Sequence, residues 1–122
     1  MARVLFIGKN TSVSQTIYGL IDQINGVELS SKWLNDIEFI NTEFSGQDLC
    51  ILNLSDWESG NMCVIKTLSA VLSSNTQLLV IDTYKDQHLI NKILDLGATA
   101  YVEQQKVAST IEGNIRQLLV KG

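Results

Sequence analysis

The 122 residues, 45% of them hydrophobic and 18% charged, suffice for one buried core and are too apolar to remain disordered. Nine Lys and Arg against 13 Asp and Glu give a formal net charge of −4, and the basic residues are scattered, so the basic stripe of a nucleic-acid-binding face is missing. No apolar run approaches the roughly 18 to 20 residues that cross a bilayer, and no basic segment leads into an apolar one at the N-terminus, which points to a cytoplasmic protein without membrane contact.

Arg3 to Ile7 is a short apolar run closed by Gly8, the pattern of a strand buried on both faces of a parallel sheet. Thr11 or Ser12 can cap the next helix, in which Val13, Ile17, Leu20, Ile21 and Ile24 recur at helical spacing. Asn25-Gly26 turns the chain into Val27 to Ser30, a weakly alternating segment expected as an edge strand. Trp33, Ile37, Ile40 and Phe44 share one helical face that ends near Ser45-Gly46.

Leu49 to Leu54 is a third strand, followed by the polar loop Ser55 to Gly60 and by a helix with Met62, Ile65, Leu68 and Leu72 inward. Leu78 to Ile81 is a fourth strand; Leu89, Ile90, Ile93 and Leu94 mark a helix closed by Gly97; Thr99 to Val102 is a fifth strand. Ala108, Ile111, Ile115, Leu118 and Leu119 form the stripe of a last helix. Cys50 and Cys63 fall in apolar patterns without a CxxC neighbour and read as reduced core thiols.

Five strands alternating with helices, joined by connections too long for hairpins, require a parallel sheet with helices on both faces and right-handed crossovers. The expected fold is α/β, a flavodoxin-like doubly wound five-stranded parallel sheet of order 2-1-3-4-5, forming a single domain over residues 1–122. Such folds bind ligands at the carboxyl ends of the strands beside the switch point, which directs attention to Gly8, Lys9, Asn53, Asp82, Thr83 and Gln104.

Two stretches, Asp48-Leu49-Cys50-Ile51-Leu52-Asn53-Leu54 with Gly60 closing its loop, and Leu96-Gly97-Ala98-Thr99-Ala100-Tyr101-Val102, carry a wider likeness. Through them the chain resembles, over essentially its whole length, the receiver domains of two-component response regulators. The first stretch looks like the family's phosphoacceptor strand and the second like its Gly-Ala turn into the fifth strand.

The resemblance implies phosphoryl transfer to an Asp carboxylate. A magnesium ion held by acidic residues after the first strand assists, as do a hydroxyl after the fourth strand and a Lys after the fifth. The carboxylate is the nucleophile, while metal and ammonium neutralise charge developed in transfer.

At the matching positions this chain departs from that pattern. Asn53 stands at the phosphoacceptor position, and a neutral amide is neither a useful nucleophile nor a ligand that attracts a hard cation. Gly8 and Lys9 replace the acidic pair and Gln104 replaces the Lys. Counting from the fourth strand puts Asp82 at the hydroxyl position, and a shift of one residue puts Thr83 there. A single Asp-to-Asn change would explain Asn53 but not Gly8, Lys9 and Gln104 with it. Asp56, in the loop, reads as a solvated acid or helix cap rather than a substitute acceptor. The Lys9 ammonium either takes the place of the metal, paired with Asp82 or Asp56, or extends into water.

Tyr101 matches the family's switch aromatic, with a half-buried strand aromatic as the plainer reading. The resemblance places a partner or dimer surface on the fourth helix, fifth strand and last helix, where His88, Asn91, Lys92, Asp95, Tyr101, Glu112 and Arg116 supply outward groups. His88 is the only histidine, so no His-based metal cluster can be assembled. Trp57 is either a binding anchor or a cover for the pocket.

The expectation is a pseudo-receiver: a non-enzymatic module with no cofactor and no metal, acting by phosphorylation-independent contact with a protein partner or a second copy. The alternatives are an atypical but phosphorylatable receiver and a small-molecule sensor using the switch-point crevice.

Overall fold

A computed structural model of the chain describes residues 1–33, 46–56, 65 and 76–121. Strands β1 (Ala2–Gly8), β2 (Val27–Trp33), β3 (Leu49–Asn53), β4 (Gln77–Asp82) and β5 (Ala100–Glu103) form one parallel sheet. Their order is β2-β1-β3-β4-β5, the flavodoxin-like order expected from the sequence. The described helices are α1 (Ser12–Asp22), α2 (Gln87–Asp95) and α3 (Val107–Lys121).

The aliphatic runs of β1, β3 and β4 exist because both faces of the sheet are covered. Val4, Phe6, Leu49, Ile51, Leu79 and Ile81 pack with residues of α1 and α3 in one cluster. Leu5, Ile7, Cys50, Leu52, Leu78 and Val80 pack in the other with Ile93 of α2 and with Ile65, which is helical and fully buried. Every residue of β3 is buried.

Local chemistry sets the helix ends. Thr11 Oγ1 accepts from Ser14 N at 3.1 Å and caps α1, and Asp86 Oδ1 accepts from His88 N at 2.8 Å and caps α2. Gly26 and Gly97 take φ of 87° and 126°, left-handed conformations that a side chain resists, at the turn into β2 and just past α2.

Several expected positions move. β2 is longer than expected: all seven of its residues pair with β1, and Trp33, assigned from the sequence to a following helical face, is its last residue, in register with Gly8. There its ring lies 5.6 Å from those of both Phe6 and Tyr18, so aromatic packing extends the strand. The rest of that expected helix, and Met62, Cys63, Leu68 and Leu72 of the next, lie outside the described residues.

Val13 and Leu94 are exposed, at 43% and 36%, and Ala108 is exposed as well. In α1 the inward positions are Ser14, Ile17 and Ile21, in α2 Ile93 alone is fully buried, and in α3 Val107 takes the place expected of Ala108. Each misplaced residue neighbours a buried one, where the roughly 100° step of a helix turns a side chain from core to rim. Among the described residues no helix is long and apolar enough to cross a membrane.

Truncating a side chain of the central strand tests this core. Ile51→Ala is expected to cost about 2–5 kcal/mol in urea unfolding, since Ile51 is fully buried in one of the two clusters. Burial also pushes the Cys50 thiol far up, so it should resist alkylation in the native state and react once the chain unfolds.

Candidate functional site

The strand order reverses between β1 and β3, and beside such a switch point folds of this kind bind ligands at the carboxyl ends of the strands. Gly8 ends β1 and is buried, with Lys9 half-buried behind it. Asn53 ends β3, Asp82 ends β4, and Gln104 follows β5 as the first residue of a 3₁₀ turn, Gln104–Lys106. Asn53 is in register with Ile81, so Asp82 lies one residue further along β4, while Thr83 is exposed beyond the strand.

Asn53 is fully buried, and its amide is engaged at both ends. Nδ2 donates to Ser14 Oγ at 2.8 Å, and Oδ1 accepts from Ser55 Oγ at 2.6 Å. Ser55 Oγ is also hydrogen-bonded to the Gln104 side-chain amide. One hydroxyl proton cannot serve two acceptor oxygens; with the Gln104 amide turned so that its nitrogen donates to Ser55, every link has a donor and an acceptor. This chain of neutral groups ties α1, the end of β3 and the end of β5 together.

Asp82 is 7% exposed. Burial raises its carboxyl pKa, opposed by hydrogen bonds from the Thr83 backbone N–H and hydroxyl, the former at 2.7 Å to Oδ1. Among the described residues, the hydrogen bonds to this carboxylate come from Thr83. The alternative pairing of Lys9 with Asp56 involves a side chain outside those described. Cross-strand from Asp82 is Glu103, whose Oε1 lies 3.8 Å from Lys85 Nζ.

Among the described residues, the groups brought together around Asn53 do not fit a hard divalent cation. The amide of Asn53 is committed to Ser14 and Ser55, Gly8 offers no side chain, and Lys9 brings a positive charge. Among the described residues no cluster of three or more His, Cys, Asp or Glu could hold a metal ion.

Tyr101 is half-buried and donates its hydroxyl to the Tyr84 carbonyl at 2.8 Å. Burial, then the nearby charge of Asp82, pushes its phenol pKa up. His88, Asn91, Lys92 and Asp95 are exposed on α2, and Glu112 and Arg116 on α3, the last two joined at 3.0 Å. None of those six lines the depression of about 310 Å³ between α2 and α3; Gln87, Ile90, Tyr101, Glu103, Lys106 and Thr110 do.

A second groove, about 300 Å³, runs between α1 and the start of α3 and includes Ser12, Val13, Thr16, Leu20, Gln104 and Ala108. None of its lining residues is charged. Ser14 and Ser55, which complete the network around Asn53, were not among the residues singled out from the sequence. A Ser in the inward stripe of α1 is a readable signal for the first, and nothing beyond its closeness to Asn53 marks the second.

The raised pKa of Asp82 has a consequence of definite sign. The folded state holds this proton more tightly than the unfolded state, so the group's contribution is fully present below the unfolded pKa and is lost as pH rises through the folded one. In Asp82→Asn, which keeps an oxygen for Thr83, that decline should vanish. Urea unfolding of both proteins from acid to neutral pH should show their stabilities converging at low pH and the wild type falling relative to the variant as pH rises. A pH-independent difference would contradict it.

No family model and no curated protein sequence matches this chain. Solved structures do match its fold. The response regulator RcsB of Salmonella typhimurium superposes with a TM-score of 0.82 at 16% identity over 98% of this chain, which spans 60% of that one. The signal receiver domain of a Mycobacterium tuberculosis protein assigned as the response regulator NarL gives 0.76 at 14% identity, covering 99% of this chain and 98% of that one. A Burkholderia thailandensis protein assigned to pilus assembly, CpaE, gives 0.83 at 8% identity, covering 98% and 99%. The chain therefore has the receiver-domain fold of two-component response regulators.

Proposed function

We propose that the chain is a pseudo-receiver, a signalling module that works by contact with a protein partner or a second copy and performs no phosphoryl transfer or other catalysis. The observation that carries this reading is the state of Asn53. At the end of β3, where the receiver fold has its phosphoacceptor, stands a fully buried amide with both ends hydrogen-bonded to neutral side chains.

An amide so held has no nucleophilic oxygen to offer and no charge with which to recruit a cation. The neighbours follow the same sense: Lys9 brings positive charge where a magnesium ion would be held, Gln104 is neutral where an ammonium would meet the phosphoryl group, and Asp82 puts a carboxyl group at the end of β4. An incoming phosphate would meet that carboxylate instead of a hydroxyl. With no nucleic-acid stripe in the sequence, protein contact is the output that fits, and a cytoplasmic setting agrees with the composition.

The rival is an atypical receiver that still accepts a phosphoryl group. An amide NMR titration with magnesium and beryllofluoride, a mimic of the bound phosphoryl group, separates the two. We expect no shifts at Gly8, Asn53, Thr83 or Gln104 at millimolar magnesium. Saturable shifts converging on those residues would establish a working phosphorylation pocket and overturn the proposal.

A further inference from the structure

We propose that the hydrogen-bonded chain Ser14–Asn53–Ser55–Gln104 is a strut that sets the spacing of α1 and the start of α3, so that the strand-end pocket is coupled to the groove between them and not to the Tyr101 face. The inference deepens the pseudo-receiver reading and rests on it, since a strut of neutral groups replaces an ion-binding pocket.

Both walls of the groove end in the strut. Ser14 belongs to α1, fully buried on the inner side of the helix that presents Ser12, Val13 and Thr16 to the groove. Gln104 lines the groove itself and opens the 3₁₀ turn that leads into Val107 and Ala108, the opposite wall. Asn53 and Ser55 bridge the two from the end of β3. Because Asn53 is fully buried, water cannot take over its hydrogen bonds when one partner is lost, and the cost falls on the geometry of the walls.

The other face is built separately. Tyr101 is fixed by the Tyr84 carbonyl, and the depression between α2 and α3 shares no lining residue with the strut. Among the described residues, the bonds that link Ser14 to Gln104 run through Asn53 and Ser55. Ser55 is thus a positioning residue whose Oγ joins the two halves.

The test is amide hydrogen exchange and chemical shift in the full 122-residue chain, without magnesium or beryllofluoride. Ser55→Ala should raise exchange at Thr16, Ile17 and Ala108 together, by roughly tenfold, while Ile90, Thr110 and Asn114 stay within about twofold. Ser55→Thr, which keeps the hydroxyl, should restore protection. Ser14→Ala and Gln104→Ala should be non-additive, the double variant no worse than the more affected single one.

Changes confined to the neighbours of residue 55, changes larger on the Tyr101 face, or strict additivity of Ser14→Ala with Gln104→Ala would each overturn the strut. If Ser55→Ala does not fold, the comparison of Ser14→Ala, Gln104→Ala and their double variant decides alone. A saturable beryllofluoride response of the wild-type chain would instead sink the pseudo-receiver reading, and additive variants in a protein blind to beryllofluoride would sink only the strut.

Discussion

Burial of β3 on both faces constrains everything at its carboxyl end. All five residues of the strand are inaccessible, so the side chain that ends it must satisfy its polar atoms inside the protein. A carboxylate there would carry the desolvation penalty of a charge and need a cation or several donors against it. An amide carries no charge, and Ser14 and Ser55 give Asn53 one hydrogen bond at each end. Burial likewise pushes up the carboxyl pKa of Asp82, at the end of the adjacent strand, and hydrogen bonds from Thr83 oppose that shift.

The sheet and its order were readable because doubly buried strands leave continuous aliphatic runs, as in Val4 to Ile7 and Leu78 to Ile81, and because such runs alternating with helical stripes admit few topologies. Helix phase was less readable. Leu94 and Ala108 each lie beside a buried apolar residue, and composition alone does not say which of two adjacent apolar residues faces the sheet, while beside Val13 the buried residue is Ser14, a polar one that an apolar stripe passes over. Trp33 went astray because its neighbours in sequence suggested helical spacing, whereas its packing partners, Phe6 and Tyr18, come from elsewhere in the chain.

At the candidate site, positions were legible and partners were not. The end of each strand could be counted, and that placed Asn53, Asp82 and Gln104 at one edge of the sheet. The bonds that define the site join residues 39 and 49 apart in sequence, Ser14 with Asn53 and Ser55 with Gln104, and no local pattern encodes them. The surface on the other side shows the same limit: the exposed residues of α2 and α3 were identified, while the depression between the helices is lined by residues elsewhere on them, such as Gln87, Ile90 and Thr110, and by Lys106 of the preceding turn.

In the proposed reading the departures from the receiver pattern form one consistent set. A buried ionic site is balanced: acids, metal and ammonium each neutralise another, and removing one member leaves a charge uncompensated, at a cost of about 3–5 kcal/mol. Asn53 with a Lys left at position 104 would strand the ammonium, and a carboxylate at position 53 opposite Gln104 would strand the acid. With Asn53 and Gln104 both neutral and joined through Ser55, neither penalty arises at those two positions. Restoring an Asp at position 53 alone would therefore not rebuild a phosphorylation site; it would place an anion against Ser14 and Ser55 with no ammonium at position 104 to balance it.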